Sequence, residues 1–220
     1  MVPAHRRQAR ISSRFPAIPF DGGVSRRCLP LLLRHTVSGG HAVDSRPDWL
    51  IDLNHPTRAI EQLVGGKAAN LARLHRAGFS VAPGFCLGVD AYALFLRAGK
   101  LAGILNMELQ RKPLETLRWE ELWDTALRIR SAFRACPFPP AIGVAVERAS
   151  NEYDAPYGWA VRSSAPGEDS RNASFAGLHE SVLPVFGAEA LLDAVRTVWA
   201  SLWSDAALLY RQELGLDPRL

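Results

Sequence analysis

Between Ala160 and Ser181 the chain reads AVRSSAPGEDSRNASFAGLHES. Arg162, Glu168, Asp169, two glycines and five serines crowd behind one short apolar run. An arginine at the end of a strand projects a fixed fork of donors, which suits bidentate contact with phosphate oxygens. Gly177 lets backbone amides approach a polyphosphate closely, and Phe175 can anchor that loop by burying its ring. Glu168 and Asp169 have two open readings: a structural pair with Arg162, or groups that orient it toward a ligand. A second segment, Gly65-Gly66-Lys67, stands where a helix should begin. Amides at a helix N-terminus beside a lysine form a phosphate cradle. The triplet lacks the GxxxxGK[ST] spacing of a Walker loop, so by itself it is weak. Together the two segments point to anion binding and name no reaction.

Both segments need elements to hold them. Asp48–Leu53 reads as a short strand, after which Gly65 and Gly66 form a turn. A helix is expected from Lys67 to Ala77, with Leu71 and Leu74 on one face and Gly78 as its stop. An extended stretch broken at Pro83-Gly84 leads to a helix capped by Asp90 and closed by Gly99. A longer helix should cover Trp119 to Ala135, because Leu122, Ala126, Ile129 and Phe133 recur at helical spacing. Trp119 and Trp123 would widen its apolar stripe. Another helix is expected from Ala141 to Tyr153. GWAVRSS and ESVLPVF read as two strands flanking the serine-rich loop. The chain then turns helical from Ala188 to about Gly215, restarting near Ser204 with Asp205 as cap. The expected class is a mixed α+β fold.

Composition limits what this fold can do. With 220 residues, 48% hydrophobic and 22% charged, the chain can build one good core or two small lobes. No apolar run approaches the roughly 18 to 20 residues that cross a bilayer. Cys28, Cys86 and Cys136 are scattered and odd in number, which fits a reducing, cytoplasmic compartment better than a disulfide framework. Six histidines show no HxH or HExxH spacing, so no metal site is expected from them. Seven of the 26 basic residues and one of the 22 acidic residues fall in residues 1–34, leaving a nearly neutral body of 19 against 21. Residues 1–46 therefore read as a basic, disordered leader. A targeting peptide or a nucleic-acid arm is the competing reading. Its arginines lack an interleaved aromatic platform, so nucleic acid is not the expected partner.

Four blocks in order carry a family resemblance: LVGGKAANLARLHRAGFSVAPGF, VDAYALFL, AVRSSAPGEDSRNASFAGLHES and VWASLWSDAALLYRQELGLD. From about Trp49 to Leu216 the chain resembles the N-terminal nucleotide-binding domain of phosphoenolpyruvate synthase and pyruvate, phosphate dikinase, a domain shared by rifampicin phosphotransferases. The resemblance implies that residues 47–220 form part of an ATP-grasp-like fold that clamps ATP with Mg2+. It places the phosphate-contacting lysine and arginine on Lys67 and Arg162, the loop glycine on Gly177, and Ser181 where the family usually has threonine. Leu178 stands where glutamine is common in the family, a departure that bears on any polar contact from that position. His179 is not the phosphoryl-carrying histidine, which belongs to a separate domain in the family. In a complete enzyme ATP would phosphorylate that carrier with its β-phosphoryl group, which passes to pyruvate with release of AMP and phosphate. The second ATP lobe with its Mg2+ ligands, the carrier domain and the acceptor domain are expected outside this chain. A separately encoded remainder could complete it. A rifampicin phosphotransferase fragment and a non-catalytic remnant are the alternatives. Exposed parts of the Trp199–Leu209 stripe are expected to promote self-association.

Overall fold

The computed structural model describes residues 46–53, 61–165, 169–170, 173–174 and 178–215. Most of the leader, and Glu168, Phe175 and Gly177, lie outside the described residues.

The first layer is a small ribbon with a helix on it. Strand β1 (Leu50–Asp52) pairs antiparallel with β2 (Phe85–Leu87), Ile51 opposite Cys86. Helix α1 (Glu61–Arg76) includes the glycine pair, but Gly65 has φ 77° and ψ 169° and breaks the helix, so a regular helix runs on from Gly66. The side of α1 packed inward carries Val64, Ala68, Ala69 and Ala72 with Ile51. Small side chains allow that close approach. Leu71 and Leu74 do share a face, and it is exposed. Gly78 ends the helix at φ 84°; its amide donates to the His75 carbonyl and that of Phe79 to the Leu74 carbonyl. This is the paired hydrogen bonding of a glycine-terminated helix.

The larger core is helical. Helices α2 (Val89–Ala98), α3 (Leu101–Gln110), α4 (Trp119–Ala135), α5 (Pro140–Ser150), α6 (Ala188–Ser201) and α7 (Asp205–Glu213) supply most of it. Phe95, Leu101, Leu105, Ile129, Phe133, Ile142 and Leu208 are almost fully buried. Trp199 of α6 sits 5.1 Å from the Phe95 ring and 5.3 Å from the Tyr92 ring, centroid to centroid. Such pairs add to the burial of their large apolar area.

Strand β3 (Trp159–Arg162) pairs antiparallel with β6 (Ser181–Val185), and one face of this two-stranded sheet rests on α6. Trp159 and Val161 turn toward the core while Ala160 and Arg162 are exposed, the alternation expected of a half-buried strand. Between them β4 (Asp169–Ser170) and β5 (Ala173–Ser174) form a short hairpin inside the serine-rich loop. Phe85, Tyr153 and Trp159 pack ring to ring and join the β1–β2 ribbon to β3.

Five details differ from the sequence expectations. Gly88, not Asp90, is the N-cap residue of α2; Asp90 falls in its first turn. Ser204, not Asp205, caps α7, its hydroxyl accepting from the Ala207 amide at 3.1 Å. Trp119 and Trp123 are exposed rather than part of the buried stripe of α4. Most of the Trp199–Leu209 stripe is covered: Trp203, Ala207 and Leu208 are buried and Leu209 is exposed. Helix α3, absent from the sequence reading, buries Leu101, Leu105 and Leu109, which do recur at four-residue spacing.

Candidate functional site

Gly65 is where the two chemical segments meet. A Cβ added to it would lie 1.9 Å from the Ser164 carbonyl oxygen and 2.8 Å from the Ala165 carbonyl carbon, so the loop after β3 runs directly against the start of the helix. A glycine has no side chain with which to cap the helix that follows. The capping oxygen comes from elsewhere: the Ala68 amide donates to Ser164 Oγ at 2.9 Å, across 96 residues of sequence. Ser164 thus does for a distant helix what a local serine or aspartate usually does. Lys67 precedes Ala68 in that first turn, and Arg162 lies two residues before Ser164.

Arg162 is exposed at the end of β3, and its register partner across the sheet is Ser181, at the start of β6. Antiparallel partners stand about 4.5–5.5 Å apart. The arrangement therefore brings together the Lys67 turn, Arg162 and Ser181, three of the four residues singled out from sequence. Gly177, the fourth, lies outside the described residues.

The two serines after Arg162 are pinned in different places. Ser164 binds the helix; Ser163, 8% exposed, shares a 3.3 Å hydrogen bond with His179 Nδ1. Sequence reasoning grouped both serines with the phosphate-binding loop and missed these attachments. Only the glycine doublet hinted at the first, since a helix start lacking a capping side chain needs an oxygen from outside.

A lysine, an arginine, a helix start and a hydroxyl are the kinds of group that neutralise and orient phosphate oxygens. Behind the helix, Cys86 points Sγ toward the Val64 carbonyl at 3.8 Å, and burial pushes its thiol up to about 12. It stays a neutral thiol and is no nucleophile at ordinary pH. Among the described residues no group of three or more His, Cys, Asp or Glu side chains is placed to hold a metal. A cavity of about 330 Å3 opens elsewhere, between α5 and the segment from Arg46 to Leu50, and neither Lys67, Arg162 nor Ser181 lines it.

The profile of the family described as Pyruvate phosphate dikinase, AMP/ATP-binding domain, matches residues 61–219. The chain belongs to this family. The match takes in α1 with its glycine kink, the β3–β6 sheet and the loop between them. The chain is 38% identical over 174 residues to phosphoenolpyruvate synthase of Aeropyrum pernix, covering 77% of this chain and 21% of that protein. Against phosphoenolpyruvate synthase of Pyrococcus furiosus it is 32% identical over 190 residues, 70% of this chain and 23% of the relative. Against a rifampicin phosphotransferase of Streptomyces sp it is 35% identical over 171 residues, 77% and 20% respectively. It thus spans about a fifth of the length of these curated relatives. No helix among the described residues is long and apolar enough to cross a membrane.

Proposed function

We propose that this member of the pyruvate phosphate dikinase AMP/ATP-binding family binds ATP, with Lys67 and Arg162 on the phosphates, Ser181 offering a hydroxyl and Gly177 a close backbone approach. The observation that carries the reading is the Ala68–Ser164 hydrogen bond, which locks the Lys67 turn to the strand end bearing Arg162. The Arg162–Ser181 register adds the third group. Lys67 and Arg162 would stabilise the charge that develops as a phosphoryl group leaves, the main task of a protein in phosphoryl transfer. We assign the ligands of Mg2+ to parts of the protein beyond these residues, in an ATP-grasp-like clamp. In the full-length setting the reaction is that of a phosphoenolpyruvate synthase, ATP with pyruvate and water giving AMP, phosphoenolpyruvate and phosphate.

A second reading keeps the nucleotide site and changes the acceptor. A rifampicin phosphotransferase also matches, at 35% identity, between the values for the two synthases, which supports a nucleotide half common to either chemistry. A third, a non-catalytic module that works with a separately encoded remainder, is tested by the neighbouring reading frames.

Isothermal titration of the chain with ATP and Mg2+ tests the binding. A saturable heat is expected at up to millimolar nucleotide. Arg162→Ala and Lys67→Ala should each weaken binding by roughly 10- to 100-fold, the size of a lost charge-assisted hydrogen bond. No heat from the folded protein, or an unchanged affinity in both variants, would refute the assignment.

A further inference from the structure

We infer that His179 and Ser163 are positioning residues for the cationic strand end, forming the side-chain tie that holds Arg162 in register with Ser181. The inference rests on the nucleotide site proposed above. His179 sits in a segment fixed on both sides. The Leu178 carbonyl accepts from Ser204 Oγ at 3.4 Å, and the Glu180 amide donates to Ser201 Oγ at 2.9 Å. Ser201 is 1% exposed and donates in turn to the Val198 carbonyl at 2.8 Å. The end of α6 and the cap of α7 therefore hold the backbone on either side of the histidine.

From that platform the ring reaches the other strand. His179 Nδ1 and Ser163 Oγ share the 3.3 Å hydrogen bond, with Ser163 buried between Arg162 and Ser164. Two residues beyond His179, Ser181 pairs with Arg162. The result is a closed ring through Arg162, Ser163, His179, Glu180 and Ser181, joined at one end by side chains and at the other by strand pairing. A ring of this kind restricts the backbone at Arg162 more than pairing at a strand terminus can, since the last residues of a strand have no further ladder to hold them. Small misplacement of a phosphate-binding cation is costly, because the gain depends on the geometry of both groups. Neither side chain has to touch nucleotide for this effect.

The test uses the whole chain and four variants: His179→Leu, His179→Asn, Ser163→Ala and the His179→Leu/Ser163→Ala double. Each is measured by ATP titration and, without nucleotide, by thermal unfolding. His179→Leu and Ser163→Ala should each weaken ATP binding about three- to tenfold, the range of one net hydrogen bond. The double variant should be no weaker than either single one, because both remove the same tie. Asparagine carries an acceptor and a donor near the Nδ1 position, so His179→Asn should bind within about twofold of the parent. A merely structural histidine would lower the unfolding temperature and leave the affinity of the folded protein unchanged. Unchanged ATP affinity in Ser163→Ala, which removes one oxygen and little volume, overturns the inference. So do additive losses in the double variant, or a failure of His179→Asn to rescue. If Arg162→Ala also leaves ATP binding unchanged, it is the nucleotide site itself that is wrong. If Arg162→Ala abolishes binding while the His179 and Ser163 variants keep it, only the tie is wrong.

Discussion

Cys86 shows how the site's surroundings set chemistry at the level of one residue. Its thiol is held neutral by burial up to about 12, whereas in the unfolded chain it ionises near 9. Below pH 9 both states keep the proton and stability is unaffected. As pH rises from 9 toward 12 only the unfolded chain loses it, so stability falls, by about 1.4 kcal/mol per pH unit for one group. Tyr153, pushed up to about 12 chiefly by burial, and Tyr92, raised for the same reason, add to the alkaline loss from about pH 10. Chemical denaturation at pH 8 and at pH 10.5 should show the drop, and Cys86→Ala should make it shallower without removing it. Equal stability at the two pH values would contradict the burial of these groups.

Between elements, Gly65 is the joint. Its φ and ψ fall in a region essentially reserved for glycine, and its missing Cβ is what lets the Ser164 carbonyl come in. Gly65→Ala should cost at least about 1–3 kcal/mol in backbone strain and force the two segments apart. Denaturation should show lower stability, and titration weaker ATP binding. Gly103 is the control: it lies inside α3, with nothing within 4 Å of an added Cβ. Gly103→Ala should stabilise by about 0.5–1 kcal/mol, because alanine loses less backbone freedom in a helix. A second inter-element device closes the C-terminal end. The buried Arg211 of α7 donates to the Leu202 carbonyl at 2.7 Å, where α6 ends, and lies over the Trp203 ring at 5.4 Å. A cation at a helix C-terminus is favoured by the dipole as well as by the hydrogen bond.

At the scale of the molecule, exposed apolar surface extends beyond the stripe that the sequence pointed to, in which Leu209 is exposed. Trp119, Trp123 and Leu127 recur at four-residue spacing along α4 and are 72%, 46% and 39% exposed. An exposed stripe of this kind favours association. Light scattering should show mass rising with concentration, and Trp119→Glu with Trp123→Glu should reduce it while leaving the helix intact. A monodisperse monomer at high concentration would show that the stripe does not associate. The same stripe shows how far periodicity reaches. It placed α4 at Trp119–Ala135 and its buried face at Leu122, Ala126, Ile129 and Phe133, as found. It could not tell that the tryptophans beside that face would stay exposed. In α1 the spacing put Leu71 and Leu74 on one face without saying which way that face turns; close packing against the β1–β2 ribbon buries the alanines and leaves the leucines exposed.

Local order was therefore set by the sequence alone. Helical spacing, strand alternation and glycine stops are written in neighbouring residues, and the four ordered blocks sufficed to place the chain in its family. The tertiary structure decided the rest of the site. That Ser164 caps a helix 96 residues earlier, that Ser163 meets His179, and that Arg162 faces Ser181 are contacts between distant positions. Hydrogen bonds of that kind leave no period in the sequence, because their partners become neighbours only when the chain has packed.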